Sequence, residues 1–467
     1  MFSDILHIGK NNASPLIIYI ESARRITIML NMNWKLEQRE KEGKIIKVGI
    51  VGAGQMGRGM VTQMVLMKGM TPAIVSDISL DLAVQAFKYA EVSDDDIVVA
   101  NTLEEANAGI AAGKYVACPD ASFVSAAEGV DAVIDCTGVP DVGAKVATDA
   151  MKNGKHVVML NVETDVVIGP YLDKFAKDHG VIYTGSAGDE PGAVMELYCF
   201  AKAMGLNVEV MGKGKNNKID YDCNPDTVLE EATRRKMSPK MLTAFKDGTK
   251  TMVEMTAMCN YTGLVPDVIG GHGPKTAPGT EGVKELNEIF KLKEDGGILN
   301  KHGVVEYVNG IAPGVFVTVS TDNAEIAYQL SYHSMGPGPL WTLYRPYHLC
   351  NLETPLTVAK AVIDGEKTCV AKDGLVAECI TQAKIDLKAG DKLDGIGGYT
   401  TLGSICTEEE ATEKGYVPFG LINKNAVMKV DCKKGDLITY DMVELDKDTL
   451  IYKLRKEQDA MYGKNVL

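Results

Sequence analysis

The chain has 467 residues, which is long enough for about two to four domains that each bury a core. Its composition, 45% hydrophobic and 24% charged, is typical of a soluble globular protein. The formal net charge of −14 argues against nucleic acid or an anionic membrane surface as the main partner. No uncharged apolar run approaches the roughly 18 residues of a membrane span. We therefore expect a soluble chain that binds neither nucleic acid nor a membrane.

The cysteines and histidines indicate a reducing compartment and no histidine-based metal site. Ten cysteines are present, and none forms a C-x-x-C pair, which argues against a zinc ribbon, a thioredoxin-type motif or a disulfide scaffold. The seven histidines form no H-x-x-x-H or H-x-H pair. We predict reduced cysteines in a cytoplasmic protein.

Residues 1–43 are predicted to be an N-terminal extension. The apolar stretch 16–20 is followed by charged residues from Glu21 onward, so it lacks the continuous apolar core of a signal peptide. Because the recognisable fold begins near Lys44, we expect residues 1–31 to be poorly ordered.

The first motif lies between a predicted strand and a predicted helix. Residues 45–51 form a β-branched run typical of a buried strand, and a G-x-G-x-x-G sequence follows directly. Such glycines let the backbone approach a pyrophosphate at the N-terminus of the helix. We therefore predict an NAD(P) site whose glycine-rich part comprises Gly52, Ala53, Gly54, Gln55, Met56 and Gly57.

The next predicted strand, residues 73–77, ends in a carboxylate. Asp77 lies twenty residues after Gly57, where the fingerprint places the residue that binds the ribose hydroxyls. A carboxylate there would repel a 2′-phosphate, so Asp77 favours NADH. The alternative is a strand-end aspartate that caps the next helix.

Strands and helices continue to alternate up to residue 184. The predicted elements in chain order are the strand 130–138, the helix 140–153, the strand 156–160, the helix 170–178 and the strand 181–184. This alternation is typical of a parallel, doubly wound sheet, so we predict a Rossmann domain over residues 44–184. The stretch 94–131 contains one helix-like segment, 102–112, and no motif, and we interpret it as scaffold.

The turn after Asp135 is the second part of the predicted cofactor site. It follows the carboxyl end of a strand, which is where ligands bind in a doubly wound sheet. We therefore expect Cys136, Thr137 and Gly138 to flank the nicotinamide half of the cofactor.

Two polar clusters follow the predicted Rossmann domain. The first is a glycine-rich turn that contains Asp189 and Glu190. The second, G-K-G-K-N-N, places Lys213 and Lys215 just past a strand that is predicted to end at Val210. Ammonium groups beside glycines suit a phosphorylated or carboxylated substrate. A solvated basic turn is the alternative.

A predicted helix over residues 249–260 carries Lys250 and Glu254 on one face among apolar neighbours. An exposed pair at this spacing is ordinary and contributes only ~0.3–0.5 kcal/mol, whereas a buried pair suggests catalysis. Both interpretations remain open. The next loop, residues 270–274, resembles a flexible substrate lid, with His272 as its titratable group.

Two later segments concentrate aromatic, basic and turn-forming residues. Residues 332–339 and 344–348 carry His333 and His348, and both segments could return to the cofactor cleft. For either histidine a structural role is favoured. Residues 304–318 have the character of a strand and are expected to complete a sheet.

The C-terminal part has short β-like runs and an internal repeat. Residues 386–391 and 431–436 both read D-x-K-x-G-D, with Gly390 and Gly435 supplying the turns. We predict a small β domain over residues 351–467 with a structural or assembly role, and the appended module makes a homo-oligomer the expected state.

These motifs together suggest a family. The sequence VGIVGAGQMG, followed by GSAGDEPG, GKGKNN, EEATRR, DGTKTMVEM and GLVPD, resembles the reductoisomerase-like branch of the homoserine-dehydrogenase superfamily. The paired D-x-K-x-G-D turns are similar to an SAF (β-clip) domain, which that branch also carries. The resemblance covers roughly residues 33–455.

The resemblance implies three parts and a specific chemistry. It implies a Rossmann domain, an α+β catalytic domain over residues 185–350 and a small all-β SAF domain. It also implies NAD(P)H-dependent conversion of 1-deoxy-D-xylulose 5-phosphate to 2-C-methyl-D-erythritol 4-phosphate, an isoprenoid precursor, with Mg²⁺ or Mn²⁺. The metal would need carboxylate ligands, for which Asp189, Glu190 and Glu254 are the candidates.

The lysines take roles from the same resemblance. Lys213 and Lys215 would hold the phosphate or polarise the carbonyl, and Lys250 would serve as general acid or its electrostatic support. The family is expected to use NADPH, whereas Asp77 favours NADH.

Two further hypotheses remain beside the reductoisomerase. The chain could be an NAD(P)-dependent dehydrogenase of another small polyol, sugar acid or amino-alcohol. It could instead be a cofactor-binding sensor whose SAF-like part recognises a carbohydrate or a partner. Loss of turnover in Lys250 and Glu254 variants with unchanged folding would exclude the sensor.

Overall fold

The computed structural model describes residues 31–216 and 218–464. The expectation of poor order for residues 1–31 therefore falls, apart from Asn31, outside the described residues. The first described helix, α1 (Met32–Lys41), lies inside the predicted N-terminal extension. Within the described parts of the chain, no helix is long and apolar enough to cross a bilayer.

A seven-stranded sheet forms the first part of the described chain. Its elements in chain order are β1 (Ile46–Val51), α2 (Gln55–Leu66), β2 (Met70–Ser76), α3 (Leu80–Tyr89), β3 (Ile97–Val99), α4 (Leu103–Ala111), β4 (Tyr115–Cys118), α5 (Ala121–Ala126), β5 (Ala132–Asp135), α6 (Pro140–Lys152), β6 (His156–Met159), α7 (Val162–Asp178) and β7 (Tyr183–Gly185). The strand order is β3-β4-β2-β1-β5-β6-β7. All neighbouring strands are parallel, as expected for the doubly wound Rossmann sheet.

The centre of this sheet is where the strand order changes direction. After β1 the chain builds one side through β2, β3 and β4, and then returns to place β5 on the other side of β1. In such sheets the crevice beyond the carboxyl ends of these two strands is the usual ligand site. The glycine-rich turn follows β1 and the predicted nicotinamide turn follows β5, so both lie at this crevice.

Two segments differ from the sequence-based expectation. Residues 94–131 contain the strands β3 and β4 and a short helix, α5, in addition to the expected helix. Helix α7 begins at Val162, eight residues before the expected start at Pro170. The helical conformation breaks at Ile168, two residues before Pro170, so the expected helix corresponds to the part of α7 that follows the break. The residues just after β6 are therefore helical.

A five-stranded mixed sheet forms the second part. Its elements are α8 (Glu190–Ala203), β8 (Asn207–Lys215), α9 (Leu229–Arg235), α10 (Pro239–Lys246), α11 (Thr249–Thr262), β9 (Val265–Pro266), α12 (Gly279–Ile289), β10 (Val304–Asn309), β11 (Val315–Ser320), α13 (Ala324–Tyr332) and β12 (Trp341–Arg345). The strand order is β12-β11-β8-β10-β9. The expected strand character of residues 304–318 corresponds to β10 and β11. Gly263 ends α11 in the left-handed conformation.

Strand β8 is longer than expected and corrects the interpretation of the second polar cluster. The strand was expected to end at Val210, but it continues to Lys215 between β10 and β11. The glycines explain the difference, because a Cβ on Gly212 would lie 1.8 Å from the carbonyl oxygen of Glu306. Lys213 and Lys215 therefore lie on a central strand, each about nine-tenths buried, instead of in a solvated turn.

The last part of the chain combines two small antiparallel sheets with three helices. Its elements are α14 (Cys350–Ala359) with a π-helical turn (Lys360–Asp364), β13 (Ala377–Ala383), β14 (Thr401–Thr407), α15 (Glu408–Lys414), β15 (Val427–Met428), β16 (Val443–Glu444) and α16 (Leu450–Met461). Strand β13 pairs with β14, and β15 pairs with β16. Gly390 and Gly435 have φ of +92° and +94°, as expected for the turns of the repeat.

The two D-x-K-x-G-D turns face each other and bind reciprocally. Lys388 Nζ lies 2.7 Å from Asp431 Oδ2, and Lys433 Nζ lies 2.8 Å from Asp386 Oδ2. All four side chains are largely exposed. The repeat is therefore a structural unit on the surface of the C-terminal segment.

The C-terminal segment packs on both other parts. Strand β14 packs on α11, and α16 packs on α7. Helix α14 packs on α2, where a Cβ on Gly59 would lie 1.9 Å from Asn351 Nδ2. Val358 and Ala359 of α14 join the apolar core beneath β1.

Candidate active site

A cavity of about 900 Å³ opens at the carboxyl ends of the first sheet and extends to the end of β8. One half is lined by the turns that follow β1, β2 and β5. The other half is lined by titratable side chains, namely Glu163, Asp189, Glu190, Lys213, Lys215, Lys250, Glu254 and His348. The cavity thus brings together the residues that the sequence analysis proposed for catalysis and metal binding, with the exception of His272.

The glycine-rich turn has the geometry that a pyrophosphate requires. Gly52 adopts a φ of +97°, and a Cβ on Gly57 would lie 1.8 Å from the carbonyl oxygen of Gly52. Gly57 therefore lets α2 pack tightly beneath the turn. Gly54 differs, because no other described atom lies within 4 Å of where its Cβ would stand. That space faces the cavity at the N-terminus of α2, where an anion is stabilised.

Asp77 connects the end of β2 to the glycine-rich turn. Its Oδ2 accepts the backbone N–H of Ala53 at 2.8 Å, and its Oδ1 accepts that of Ser79 at 2.9 Å. Each carboxylate oxygen can accept more than one hydrogen bond, so these contacts leave room for ribose hydroxyls. Asp77 therefore holds the chain that enters α3 and still lines the cavity.

A buried amide fixes the turn that contains Cys136, Thr137 and Gly138. Asn161 donates from Nδ2 to Asp135 Oδ2 at 2.9 Å and accepts the backbone N–H of Thr164 at the first turn of α7. Burial raises the pKa of Asp135 to about 6. Asn161 thus joins the predicted nicotinamide turn to the helix that carries Glu163.

Lys213 is the centre of the charged half of the cavity. Its ammonium donates to Glu190 Oε1 at 2.6 Å and also to Glu254. Burial alone would lower the pKa of Lys213, but Glu190 and Glu254 outweigh it and raise the pKa. For Glu190 the two effects have the opposite signs. Burial raises the pKa of its carboxyl group, but the charge of Lys213 outweighs burial and holds this pKa well below its ordinary value. Lys213 is therefore a charged ammonium at the floor of the cavity.

Lys250 pairs with a residue that the sequence analysis did not consider. Its Nζ lies 3.0 Å from Glu163 Oε1. Lys250 and Glu254 face the same cavity, but each has a different partner for its closest contact, so the expected Lys250–Glu254 pair is not a direct one. Burial would lower the pKa of Lys250, and the carboxylates of Glu163 and Asp189 raise it.

Asp189 is the carboxyl group in the cluster with no ammonium bonded to it. Its Oδ2 is buried and has no hydrogen-bond partner among the described residues. Burial raises the pKa of Asp189 well above the ordinary value, against the opposing effect of Lys250. Asp189, Glu190 and Glu254 each offer an oxygen, and these oxygens lie within 4.8 Å of one another.

The three carboxylates Asp189, Glu190 and Glu254, called here the carboxylate trio, are the expected ligands of a divalent metal. Hard oxygen donors at this spacing suit Mg²⁺ or Mn²⁺. However, the ammonium of Lys213 already lies between Glu190 and Glu254 and supplies positive charge there. The donor chemistry fits a metal only if Lys213 moves away, so we derive no step through a metal ion.

Lys215 is the last residue of β8, and its ammonium makes two hydrogen bonds to described residues. Its Nζ donates to the carbonyl oxygen of Phe245 at 2.9 Å and to Thr251 Oγ1 at 3.3 Å. An ammonium has three donors, and in the part of the chain that the structure describes two of them have a partner. Burial and the neighbouring charge of Lys213 lower the pKa of Lys215 to about 8.

His272 lies outside the cavity lining, and its loop is fixed in place. His272 Nε2 lies 2.7 Å from Asp267 Oδ2, and its backbone N–H donates to Glu306. The N–H of Gly270 donates to the carbonyl oxygen of Ile405 in β14. These contacts do not fit the expectation of a flexible lid that delivers His272 to a substrate.

His348 enters the cavity instead. Its Nε2 lies 3.4 Å from Glu190 Oε1, and its Nδ1 lies 3.2 Å from the carbonyl oxygen of Gly188. The segment around His348 was expected to return to the cleft, but a structural role was favoured for the histidine. No local pattern marks His348 or Glu163. The N-cap Asn161 followed by acidic residues could have shown that a helix begins there.

A family model matches part of this chain. Residues 188–354 match the model described as "Oxidoreductase DRL, catalytic domain", which is just over a third of the chain. The match contains the lysines and carboxylates of the charged cluster except Glu163. A search of curated proteins by sequence finds no match.

Solved structures of dehydrogenases share parts of the fold at low identity. A probable dehydrogenase from Thermotoga maritima has 13% identity and a TM-score of 0.39, with 69% of this chain and 90% of that chain covered. A scyllo-inositol dehydrogenase from Lactobacillus casei, solved with NAD(H) and scyllo-inositol, has 12% identity and a TM-score of 0.34, with 59% and 74% covered. A myo-inositol 2-dehydrogenase from Lactobacillus plantarum has 11% identity and a TM-score of 0.36, with 69% and 91% covered. At these values the likeness carries no inference about substrate.

Proposed function

We propose that this chain, an NAD(P)-dependent oxidoreductase, transfers hydride between a nicotinamide and a hydroxyl- or carbonyl-bearing carbon of a small anionic substrate. The observation that carries the proposal is that Lys213 and Lys250, each paired with carboxylates, share one cavity with the glycine-rich turn. A bound nicotinamide supplies or accepts the hydride. The residues of the chain must then stabilise the negative charge that develops on the substrate oxygen and move a proton.

The two ammonium groups suit these tasks. Lys250, held by Glu163, is positioned to donate a proton to the substrate oxygen or to orient the donor. Lys213, held by Glu190 and Glu254, polarises the carbonyl from the floor of the cavity. The third donor of Lys215 would bind a phosphate or carboxylate at the other end of the substrate.

Asp77 supports NADH as the preferred cofactor. A carboxylate at this position can bind both ribose hydroxyls and repels a 2′-phosphate. Fluorescence titration with NADH and NADPH tests this preference, and Asp77→Ala should weaken NADH binding more than NADPH binding. Asp81→Ala, an exposed change in the first turn of α3, is the matched control. Tighter binding of NADPH by the unaltered chain would contradict this assignment.

The reaction itself is tested by oxidation of NADH and NADPH with pairs of carbonyl compounds that differ only in a phosphate or carboxylate group. We expect oxidation with the anionic member of a pair and little with the neutral one. Lys250→Ala should lower kcat by about 10²–10⁴-fold. Lys433→Ala removes an exposed lysine and should leave kcat unchanged. Cofactor binding without oxidation of any anionic compound would contradict the proposal.

A second candidate is the reductoisomerase reaction on 1-deoxy-D-xylulose 5-phosphate. The observation that favours it is the trio of carboxylate oxygens within 4.8 Å, which could hold Mg²⁺ or Mn²⁺ if Lys213 moves. It predicts NADPH or NADH oxidation that depends strictly on the metal and yields a branched polyol phosphate. Oxidation without added metal, or oxidation to an unbranched product, would favour the first proposal.

A further inference from the structure

We propose that the C-terminal strands β13 and β14, which lie outside the cavity, position Lys250 by holding the first turn of α11. The inference rests on the role given to Lys250 in the proposed function. It assigns the C-terminal segment a part in the active site beyond the structural or assembly role expected from its sequence. Three contacts carry it.

The N-cap residue of α11 has no side chain that could cap the first turn of the helix. This residue, Gly248, has a φ of +92°. The backbone N–H of Thr249 is satisfied instead by Asp247 Oδ1 at 2.9 Å. Asp247 is fully buried, so this cap requires a partner for its negative charge.

That partner comes from the C-terminal segment. Lys384, directly after β13, donates from Nζ to Asp247 Oδ2 at 2.7 Å. The same ammonium donates to the carbonyl oxygens of Cys223 and Gly398 at 2.9 and 3.0 Å, so all three of its donors are used. Lys384 is only 2% exposed. A buried lysine with every donor satisfied fixes Asp247 in one position.

A second contact reaches the same turn from β14. The backbone N–H of Gly403 donates to Thr249 Oγ1 at 3.0 Å. A Cβ on Gly403 would lie 3.2 Å from Thr249 Cγ2, so the glycine lets the strand approach the helix closely. The residue next to Thr249 is Lys250, whose ammonium reaches across to Glu163 in α7.

These contacts form a continuous path from the C-terminal segment to the cavity. Lys384 and Gly403 fix the backbone immediately before Lys250, and Glu163 fixes the far end of its side chain. A displacement of a reacting group by about 1 Å can cost roughly 100-fold in rate. Lys384 and Thr249 are therefore positioning residues that act through Lys250.

The test compares two buried threonines that neighbour Gly403 of β14, one in helix α11 and one in strand β13. Thr249→Val removes the hydroxyl that accepts from Gly403. Thr381→Val is the matched control, because Thr381 is equally buried and lies opposite Gly403 in β13, but its hydroxyl donates to Val417. Reductive methylation followed by mass spectrometry reports how exposed the ammonium of Lys250 becomes. Hydrogen exchange over residues 249–254 reports the order of the helix turn.

We expect Thr249→Val to speed methylation of Lys250 and exchange of residues 249–254 by about fivefold, because the turn opens locally. Thr381→Val should change neither by more than about twofold. Equal effects of the two variants, or no effect of Thr249→Val, would overturn the proposal.

Lys384→Met alone leaves Asp247 as an unpaired buried charge and destabilises the whole fold. The double variant Lys384→Met with Asp247→Asn removes both charges and should raise Lys250 methylation in the same way as Thr249→Val. Methylation of Lys250 that stays at the unaltered rate in this folded double variant would also overturn the proposal.

These readouts require no turnover, so they separate this inference from the proposed function. Where a substrate is found, a double-mutant cycle provides one more test. It compares kcat of the unaltered protein, of Thr249→Val, of Lys250→Ala and of the double variant. Thr249→Val should have no further effect on kcat once Lys250 is absent, whereas a purely structural role gives additive losses. Full turnover by Lys250→Ala would refute the role of Lys250 in the proposed function. The methylation result would then still decide whether the C-terminal strands position Lys250.

Discussion

The ammonium of Lys250 lies 3.0 Å from the carboxylate of Glu163, and this ion pair joins the two large sheets of the protein. Glu163 stands in the first turn of α7, shortly after β6 of the first sheet, and Lys250 stands in the first turn of α11, which packs on the second sheet. The side chain of Glu163 is 3% exposed and that of Lys250 is 12% exposed, and both line the cavity. The pair therefore sets the position of a charged group at the point where a nicotinamide and a substrate would meet.

Replacing Glu163 tests this pair. Glu163→Gln keeps the size of the side chain but removes the charge that holds Lys250, so we expect kcat to fall by about 10–100-fold with little change in cofactor affinity. Steady-state kinetics and NADH fluorescence titration measure the two quantities. Asp165→Asn, on the same helix, is the control, because Asp165 is buried against Tyr183 and Tyr261 away from the cavity. A similar loss of kcat in Asp165→Asn would assign the effect to stability instead.

The glycine-rich turn gives a prediction that separates folding from cofactor binding. Gly57→Ala forces a Cβ against the carbonyl oxygen of Gly52 and should lower the melting temperature. Gly54→Ala meets no other described atom, so the protein should fold normally. Its methyl group would nevertheless occupy the space that we propose for the pyrophosphate, so NADH affinity should fall by at least about tenfold. Normal NADH binding by Gly54→Ala would place the cofactor elsewhere.

Lys213 decides whether the carboxylate trio can hold a metal. Lys213→Met removes the ammonium that pairs with Glu190 and Glu254, and we expect this to lower the free energy of unfolding by about 3–5 kcal/mol. Mn²⁺ should restore much of this stability in the variant and have little effect on the unaltered protein. Denaturant unfolding with and without Mn²⁺ measures both.

The control for this experiment removes one ligand as well. Lys213→Met with Glu254→Gln should lose the response to Mn²⁺, because one carboxylate of the trio is gone. An unaltered protein that Mn²⁺ stabilises as strongly as Lys213→Met would show that Lys213 does not exclude the metal.

Lys215 predicts how anion binding depends on pH. Because burial lowers its pKa to about 8, the ammonium is charged below that pH and neutral above it. We expect inorganic phosphate to compete with substrate about tenfold less well at pH 9 than at pH 7. Lys215→Met should remove this pH dependence and leave weak binding at both pH values. Competition that strengthens as the pH rises would contradict the assignment.

Local patterns were enough to predict five of the seven strands of the first sheet, while β3 and β4 were missed. The β-branched run at residues 45–51, the glycines after it and the position of Asp77 specify one strand-turn-helix-strand unit, and the structure has that unit. The boundaries failed where a local signal was ambiguous. The helix predicted from Pro170 corresponds to the part of α7 after the break at Ile168, and the helical residues 162–167 before the break were missed.

The site could be predicted only in part, because its charged residues acquire their roles through distant contacts. Lys213 and Lys215 were identified, but their alternation with glycines resembled a turn, and only pairing with β10 and β11 makes that segment a buried strand. Glu163 and Lys384 carry no motif. Their partners lie 87 and 137 residues away in the sequence, so only the folded chain brings them together.

The packing of α14 on α2 restricts how the enzyme can open. Asn351 sits in the gap left by Gly59, and the end of α14 is part of the core beneath β1. The chain that leaves the second sheet is thus anchored on the first sheet. A hinge rotation of one sheet away from the other would break this attachment. We expect substrate entry and product release to depend on the segment around α9 and α10, which covers the cavity with Met237 and Met241, and not on a swing of whole domains.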